Sequence, residues 1–239
     1  MERIFSNPET LLTALAEFIV GQANEAIREK GTFSFVLSGG GSPKKLYELL
    51  ASDAFRNRID WTKVYFFFGD ERYVPADHPD SNFLMAKKAL FTPLAIPDHQ
   101  VFQMDTTLSP DESAKAYEAA IAAWFKGKPC RFDVLLLGLG DNAHTASLFP
   151  HTSVLHEKKA FVKGLYIEEV KMDRITMTAP LINLASKIVW LVYGAAKKDA
   201  VHHILKEPLN IEEYPAQLIR RTPDDVIWFL DDAAASRIR

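Results

Sequence analysis

The chain has 239 residues, 48% apolar and 25% charged, with a formal net charge of −3. That composition fits a globular protein with ample core and argues against disorder, and α/β units of this length commonly fold as one body, so 1–239 is read as one domain. Scattered Lys and Arg argue against a nucleic-acid partner, which demands clustered cations, and no apolar run reaches the roughly 18 residues that a membrane span requires.

Residues 1–8 lack the basic segment, apolar stretch and small-residue cleavage site of a secretory signal. Beyond them Leu11, Leu12, Leu15, Phe18, Ile19, Ala23, Ala26 and Ile27 recur at helical spacing, behind Asn7 as N-cap and Pro8 at the first helical position. An amphipathic helix is predicted. Phe33-Ser34-Phe35-Val36-Leu37 reads as a strand, 38–42 as a glycine-rich turn, and Pro43 onward as a helix with Leu46, Tyr47, Leu49 and Leu50 on one side. A second βα unit follows: Val64-Tyr65-Phe66-Phe67-Phe68, a polar loop over 69–81, and a helix holding Phe83, Leu84, Ala86 and Leu90.

Ser109-Pro110-Asp111-Glu112 is a capping box, which predicts a helix over 111–126. Cys130, the one cysteine, excludes an internal disulfide and a thiolate metal cluster and suits a reducing cytoplasm. It is read as an inert thiol in a loop before the next strand. Phe132-Asp133-Val134-Leu135-Leu136-Leu137 is that strand, apolar enough to be buried on both faces. The segment 152–173 is too polar for a core helix and reads as an antiparallel excursion or a flap. Arg174-Ile175-Thr176-Met177-Thr178, a short helix near 180–186, the strand Ile188-Val189-Trp190-Leu191-Val192, a helix over 195–205 and the strand Val226-Ile227-Trp228-Phe229-Leu230 complete the chain. Such alternation implies right-handed crossovers and a mostly parallel α/β sheet covered by helices on both faces.

Four loops follow strands, at the sheet edge where open α/β folds bind ligands. In Ser38-Gly39-Gly40-Gly41-Ser42-Pro43 the glycines let backbone N–H groups approach a ligand, and the helix start adds partial positive charge. A phosphate would suit it, as would the role of a plain tight turn; it is neither a Walker A loop nor a dinucleotide fingerprint. In Gly69-Asp70-Glu71-Arg72-Tyr73-Val74-Pro75, Arg72 is the residue type that grips phosphate or carboxylate bidentately, with Asp70 or Glu71 expected to hold its fork and Asp80-Ser81-Asn82 to cap the next helix.

The third loop, Gly138-Leu139-Gly140-Asp141-Asn142-Ala143-His144-Thr145-Ala146-Ser147-Leu148-Phe149-Pro150, carries a lone histidine. An imidazole with an unperturbed pKa of about 6.5 can take a proton from water near neutral pH, so His144 is read as a general base. Ser147 is expected to satisfy local backbone, since no nucleophile elbow surrounds it. In the fourth, Gly194-Ala195-Ala196-Lys197-Lys198, lysines opening a helix oppose its dipole, and a bound anion would rationalise them, with Arg174 on the preceding segment. His202 and His203 are adjacent and face different directions, and His78, His99, His151 and His156 have no ligand spacing. No metal is expected.

These motifs together resemble the 6-phosphogluconolactonase family, hydrolases related to glucosamine-6-phosphate deaminase. The likeness rests on Ser-Gly-Gly-Gly-Ser-Pro at 38–43, Asp-Glu-Arg-Tyr-Val-Pro with Ser81-Asn82, His-Thr-Ala-Ser-Leu-Phe-Pro at 144–150, Arg-Ile-Thr-Met-Thr at 174–178, the Gly194 to Lys197 turn, and Tyr214-Pro215-Ala216. It implies a Rossmann-like, doubly wound fold and hydrolysis of 6-phospho-D-glucono-1,5-lactone without metal or cofactor. It also implies phosphate contacts from Ser38, Gly39, Gly40, Gly41, Ser42, Arg72 and Lys197, joined by Arg174, and base catalysis by His144. Deaminases typically carry a His-Ile-Ala-Phe-Asn-Glu-Pro type sequence at the histidine, so deamination is the weaker implication, and a non-catalytic sugar-phosphate sensor is the other. The family usually reads Asp-Gly-His where this chain has Asn142-Ala143-His144. Either Asp141 supplies the carboxylate after a one-residue shift or Asn142 orients the imidazole. Alanine at 143 would also make a positive φ costly.

Overall fold

Apolar runs ended by glycine form the central strands, and each amphipathic segment between them packs its apolar stripe onto the sheet. The computed structural model describes residues 1–219 and 225–239. In chain order its elements are β1 (Glu2–Phe5), α1 (Pro8–Lys30), β2 (Phe33–Leu37), α2 (Gly41–Leu50), β3 (Val64–Phe68), β4 (Asp70–Arg72), α3 (Asn82–Ala86), α4 (Pro110–Phe125), β5 (Val134–Leu137), β6 (Val162–Ile167), β7 (Met172–Met177), α5 (Ala179–Ile182), β8 (Lys187–Val192), α6 (Lys198–Lys206) and β9 (Val226–Asp231).

Six strands form one parallel sheet in the order β1-β9-β8-β5-β2-β3. The chain steps outward from β2 to β3, returns across β2 to β5, and then continues outward through β8 and β9. This reversal makes the fold doubly wound and leaves a crevice between the carboxyl ends of β2 and β5, where adjacent loops diverge. The glycine-rich turn follows β2 and the histidine loop follows β5.

Local chemistry defines the helices. Asn7 accepts from the Thr10 N–H, Pro8 opens α1, and Gly31 closes it at φ 81 with its N–H on the Ile27 carbonyl. The Ser109/Glu112 box opens α4 as the sequence predicts. Phe33, Phe35, Phe66, Phe67, Phe68 and Phe132 are fully buried or nearly so, and Trp190 stacks on Trp228 at 4.3 Å.

Three differences from the sequence reading matter. β1 is a four-residue edge strand, too short to display periodicity. The expected loop over 69–81 begins with a strand: Asp70-Glu71-Arg72 pairs antiparallel with β7, which pairs with β6. Residues 174–177 therefore belong to a separate three-stranded sheet rather than the main one, and of the two readings of 152–173 the antiparallel excursion is found. Charged residues form β4 because tertiary partners satisfy them, which outweighs local propensity. Finally, the predicted helix after Ser81 is short and widens into a π-turn over Lys87–Phe91, while that at 195–205 begins with the tight turn Ala195–Lys197.

Candidate active site

A cleft of about 530 Å³ opens at the crevice between β2 and β5. Ser38, Gly39, Gly40, Gly41, Ser42, Arg72, Asp141, Asn142, His144, Arg174 and Lys197 all line it. Residues spread over 160 positions of sequence meet there because three loops at strand ends and two strands of the small sheet, β4 and β7, converge on one rim.

The glycine turn is built for close approach. Gly40 has φ 103 and precedes α2 with no side-chain cap, so the first N–H groups of that helix carry no side-chain partner. A methyl on Gly39 would overlap the buried Asn82 side chain, whose Nδ2 donates to the Asp70 carbonyl at 2.9 Å. From the core, Tyr47 donates its hydroxyl to the Ser38 carbonyl at 2.8 Å and accepts from the Ser38 N–H at 2.9 Å.

Arg72 and Arg174 are cross-strand partners in the β4–β7 register. The Nε–H of each is buried without a hydrogen-bond partner. Burial holds the Arg174 guanidinium below its usual range; Asp70 opposes that shift and Arg72 reinforces it. Two desolvated cations side by side repel, and an anion between them would relieve both the repulsion and the unmet donors. The expected hold on Arg72 by Asp70 or Glu71 is not what forms. Arg72 Nη1 donates to the Asp80 carbonyl at 2.7 Å, whereas Glu71 accepts from the N–H groups of Arg72 (2.8 Å), Asn82 (2.7 Å) and Phe83 (2.8 Å). Three backbone donors, two of them at the start of α3, outcompete a neighbouring side chain for that carboxylate. Burial nevertheless pushes the Glu71 carboxyl up.

The histidine loop folds tightly, with the Gly140 N–H on the His144 carbonyl at 2.8 Å. Asn142 Oδ1 accepts the His144 backbone N–H at 3.2 Å and meets ring Nδ1 at 2.5 Å. The ring stacks on Phe149 with centroids 3.9 Å apart. Burial lowers the His144 pKa to about 4; Asp70 and Asp141 raise it, and Lys197 and Arg174 lower it further. Asp141 forms an ion pair with Lys197 at 2.5 Å, so Asn142 is the group on the imidazole nitrogen. Lys197 thus has an internal anion and sits on the turn before α6 rather than in its first turn.

Ala143 adopts φ 61, the left-handed geometry that alanine disfavours. Its carbonyl accepts from the Ala216 N–H at 3.0 Å, which ties the Tyr214-Pro215-Ala216 motif to the histidine loop. Ser147 does not serve local backbone as expected: its hydroxyl donates to Asp70 Oδ2 at 2.7 Å, because the loop carries it, fully buried, against β4. Sequence reasoning missed Glu169, which accepts from Asn142 Nδ2, and Phe149 as the ring's support; no local pattern marks Glu169, which lies 27 residues from its partner. His203 stacks on Tyr214, and His202 faces the Arg237 carbonyl at 3.1 Å. Among the described residues, no three His, Cys, Asp or Glu side chains are grouped to hold a metal ion.

Residues 6–228 match the family described as glucosamine-6-phosphate isomerases/6-phosphogluconolactonase. The 6-phosphogluconolactonase of a Synechocystis species is 38% identical over 99% of this chain and 97% of its own, and that of a Nostoc species 37% over 98% and 97%. The structure of the Trypanosoma brucei 6-phosphogluconolactonase superposes with a TM-score of 0.88 at 30% identity, covering 100% of this chain and 98% of that one. The chain belongs to the glucosamine-6-phosphate isomerase/6-phosphogluconolactonase family.

Proposed function

We propose that this chain, acting as one unit over 1–239, hydrolyses 6-phospho-D-glucono-1,5-lactone to 6-phospho-D-gluconate in the oxidative branch of the pentose phosphate pathway. The observation that carries the reading is the contact of Asn142 Oδ1 with His144 Nδ1 at 2.5 Å. A carbonyl oxygen can only accept, so Nδ1 bears the ring proton and Nε2 carries the lone pair. Burial keeps the ring neutral at physiological pH. Nε2 then removes a proton from water as the water oxygen attacks the lactone carbonyl. The tetrahedral oxyanion collapses, the ring C–O bond breaks, and the departing oxygen takes the proton back from the imidazolium. Backbone N–H groups of the surrounding loops are the natural oxyanion donors.

The 6-phosphate is assigned to the glycine turn, the start of α2 and the Arg72/Arg174 pair, with Lys197 at the rim. Binding energy at this remote group fixes the carbonyl beside the base. An amino-sugar-phosphate deaminase would need a carboxylate beside the histidine to shuttle protons, and Asn142 stands there instead. The proposed location is the cytoplasm, in keeping with the free thiol of Cys130. A small phosphosugar is the proposed partner; nucleic acid and membrane are not, and among the described residues no helix is long and apolar enough to cross a membrane.

The test is lactone hydrolysis by the purified protein and its His144→Ala variant, with spontaneous opening subtracted. We expect turnover to fall by about 10²- to 10⁴-fold while 6-phosphogluconate binding persists. Undiminished turnover would overturn the base assignment. Ammonia release from glucosamine 6-phosphate would favour the deaminase, and phosphosugar binding without any hydrolysis above background a sensor.

A further inference from the structure

The turn Glu168–Val170 joins β6 to β7 and brings Glu169 to the rim of the cleft, where its two carboxylate oxygens accept from Asn142 Nδ2 at 2.8 and 3.0 Å. An ionised carboxylate has no hydrogen to donate. The atom of Asn142 facing it must therefore be the amide nitrogen, which leaves the amide oxygen for His144. We propose that Glu169 is a positioning residue: it fixes the amide of Asn142 in the orientation that assigns the His144 proton to Nδ1 and the lone pair to Nε2. The inference rests on the reading of His144 as the base.

A flipped Asn142 would offer N–H groups to Nδ1 and favour the opposite tautomer, whose Nε2 is already protonated and cannot accept from water. The His144 backbone N–H also holds the amide oxygen, but only at 3.2 Å, so Glu169 supplies the second and charged anchor. The arrangement moves the negative charge one residue outward from the imidazole. The charged groups acting on the ring are then Asp70 on β4, Arg174 on β7, Lys197 beyond β8 and Asp141 in its own loop. Among the described residues no carboxylate touches Nδ1, in keeping with the depressed pKa.

The hairpin that carries Glu169 also carries Arg174. One small sheet thus couples the anion grip to the setting of the base.

Glu169→Ala should lower kcat by about 10- to 100-fold with KM changed only a few-fold, while Glu168→Gln in the same turn stays at the wild-type level. The double variant Asn142→Asp with Glu169→Gln exchanges the amide and carboxylate between the two positions. It should recover kcat to within a few-fold of wild type and move the acid limb of kcat/KM upward, because a carboxylate then touches the imidazole directly. Nitrogen-15 NMR of His144 should give protonated Nδ1 in the wild type and a mixture of tautomers in Glu169→Ala. This measurement needs no turnover, so a protein that opens no lactone would refute the proposed function yet still decide the role of Glu169. An unchanged tautomer in Glu169→Ala, or a double variant as slow as Glu169→Ala, would overturn the inference. So would loss confined to KM or melting temperature, which a purely structural turn would give.

Discussion

A methyl group on residue 140 would overlap Nδ1 and Cε1 of His144, so Gly140 and the imidazole occupy adjoining space that only a residue without Cβ allows. The clash is with a ring already stacked on Phe149 and bonded to Asn142, so the ring can yield only by giving up one of those contacts. Gly140→Ala should therefore displace His144, the proposed base, rather than the substrate. Because misplacement by about 1 Å can cost around 10²-fold, kcat should drop by at least tenfold with 6-phosphogluconate affinity preserved. Steady-state kinetics alongside product titration checks it; an unaltered kcat would mean that the ring position does not matter.

The depressed pKa of His144 sets a pH dependence with a definite sign. In the free enzyme the acid limb of kcat/KM should lie near 4 rather than near 6.5, since protonation of the imidazole removes the base. The limb of kcat should lie higher, because a bound phosphate adds negative charge that favours the imidazolium. Folding stability follows the same group: the unfolded chain protonates near 6.5 and the folded one near 4, so stability falls as pH drops through that interval. Initial rates and melting temperatures between pH 4 and 8 would expose either limb, and coincident limbs at 6.5 would contradict the burial argument.

The paired guanidinium groups should separate affinity from free-state stability. Arg174→Met keeps an apolar stem and removes one charge from the Arg72 register position. Charge-assisted hydrogen bonds are worth about 1.5–3 kcal/mol, so KM should rise by roughly 10- to 150-fold. In the absence of ligand the variant should melt no lower than wild type, because the cost of burying the Arg174 charge is gone, and with it the repulsion from Arg72. Calorimetry with and without 6-phosphogluconate reads both halves, and a large loss of stability without ligand would show that the pair is held by something other than an anion.

Ser147 lies three residues after His144 and invites confusion with a nucleophile. Its hydroxyl bonds Asp70 in a fully buried position, so Ser147→Ala should leave a buried carboxylate short of a donor at a cost of about 1–3 kcal/mol. Turnover of the folded variant should stay within several-fold of wild type. Abolished turnover at full folding would return Ser147 to the reacting atoms.

Much of the molecule is written locally. The run at 132–137, the capping box at Ser109 and the Asn7-Pro8 start each act through neighbours within one turn or one strand, so they are legible in any context. The alternation of such elements implied a mostly parallel sheet, and the loops at its strand ends were the natural places to seek chemistry. Other features depend on partners far along the chain. Three charged residues become β4 because Glu71 meets the N–H groups of Asn82 and Phe83, and because β7 returns alongside after about a hundred residues. Whether Asp141 or Asn142 touches the imidazole likewise depended on Lys197, which claims Asp141, and on Glu169, which accepts from the Asn142 amide. Hydrogen-bond direction and ion pairing are settled by which groups are brought within about 3 Å; spacing along the chain carries no record of that, whereas hydrophobic period and capping chemistry are recorded there residue by residue.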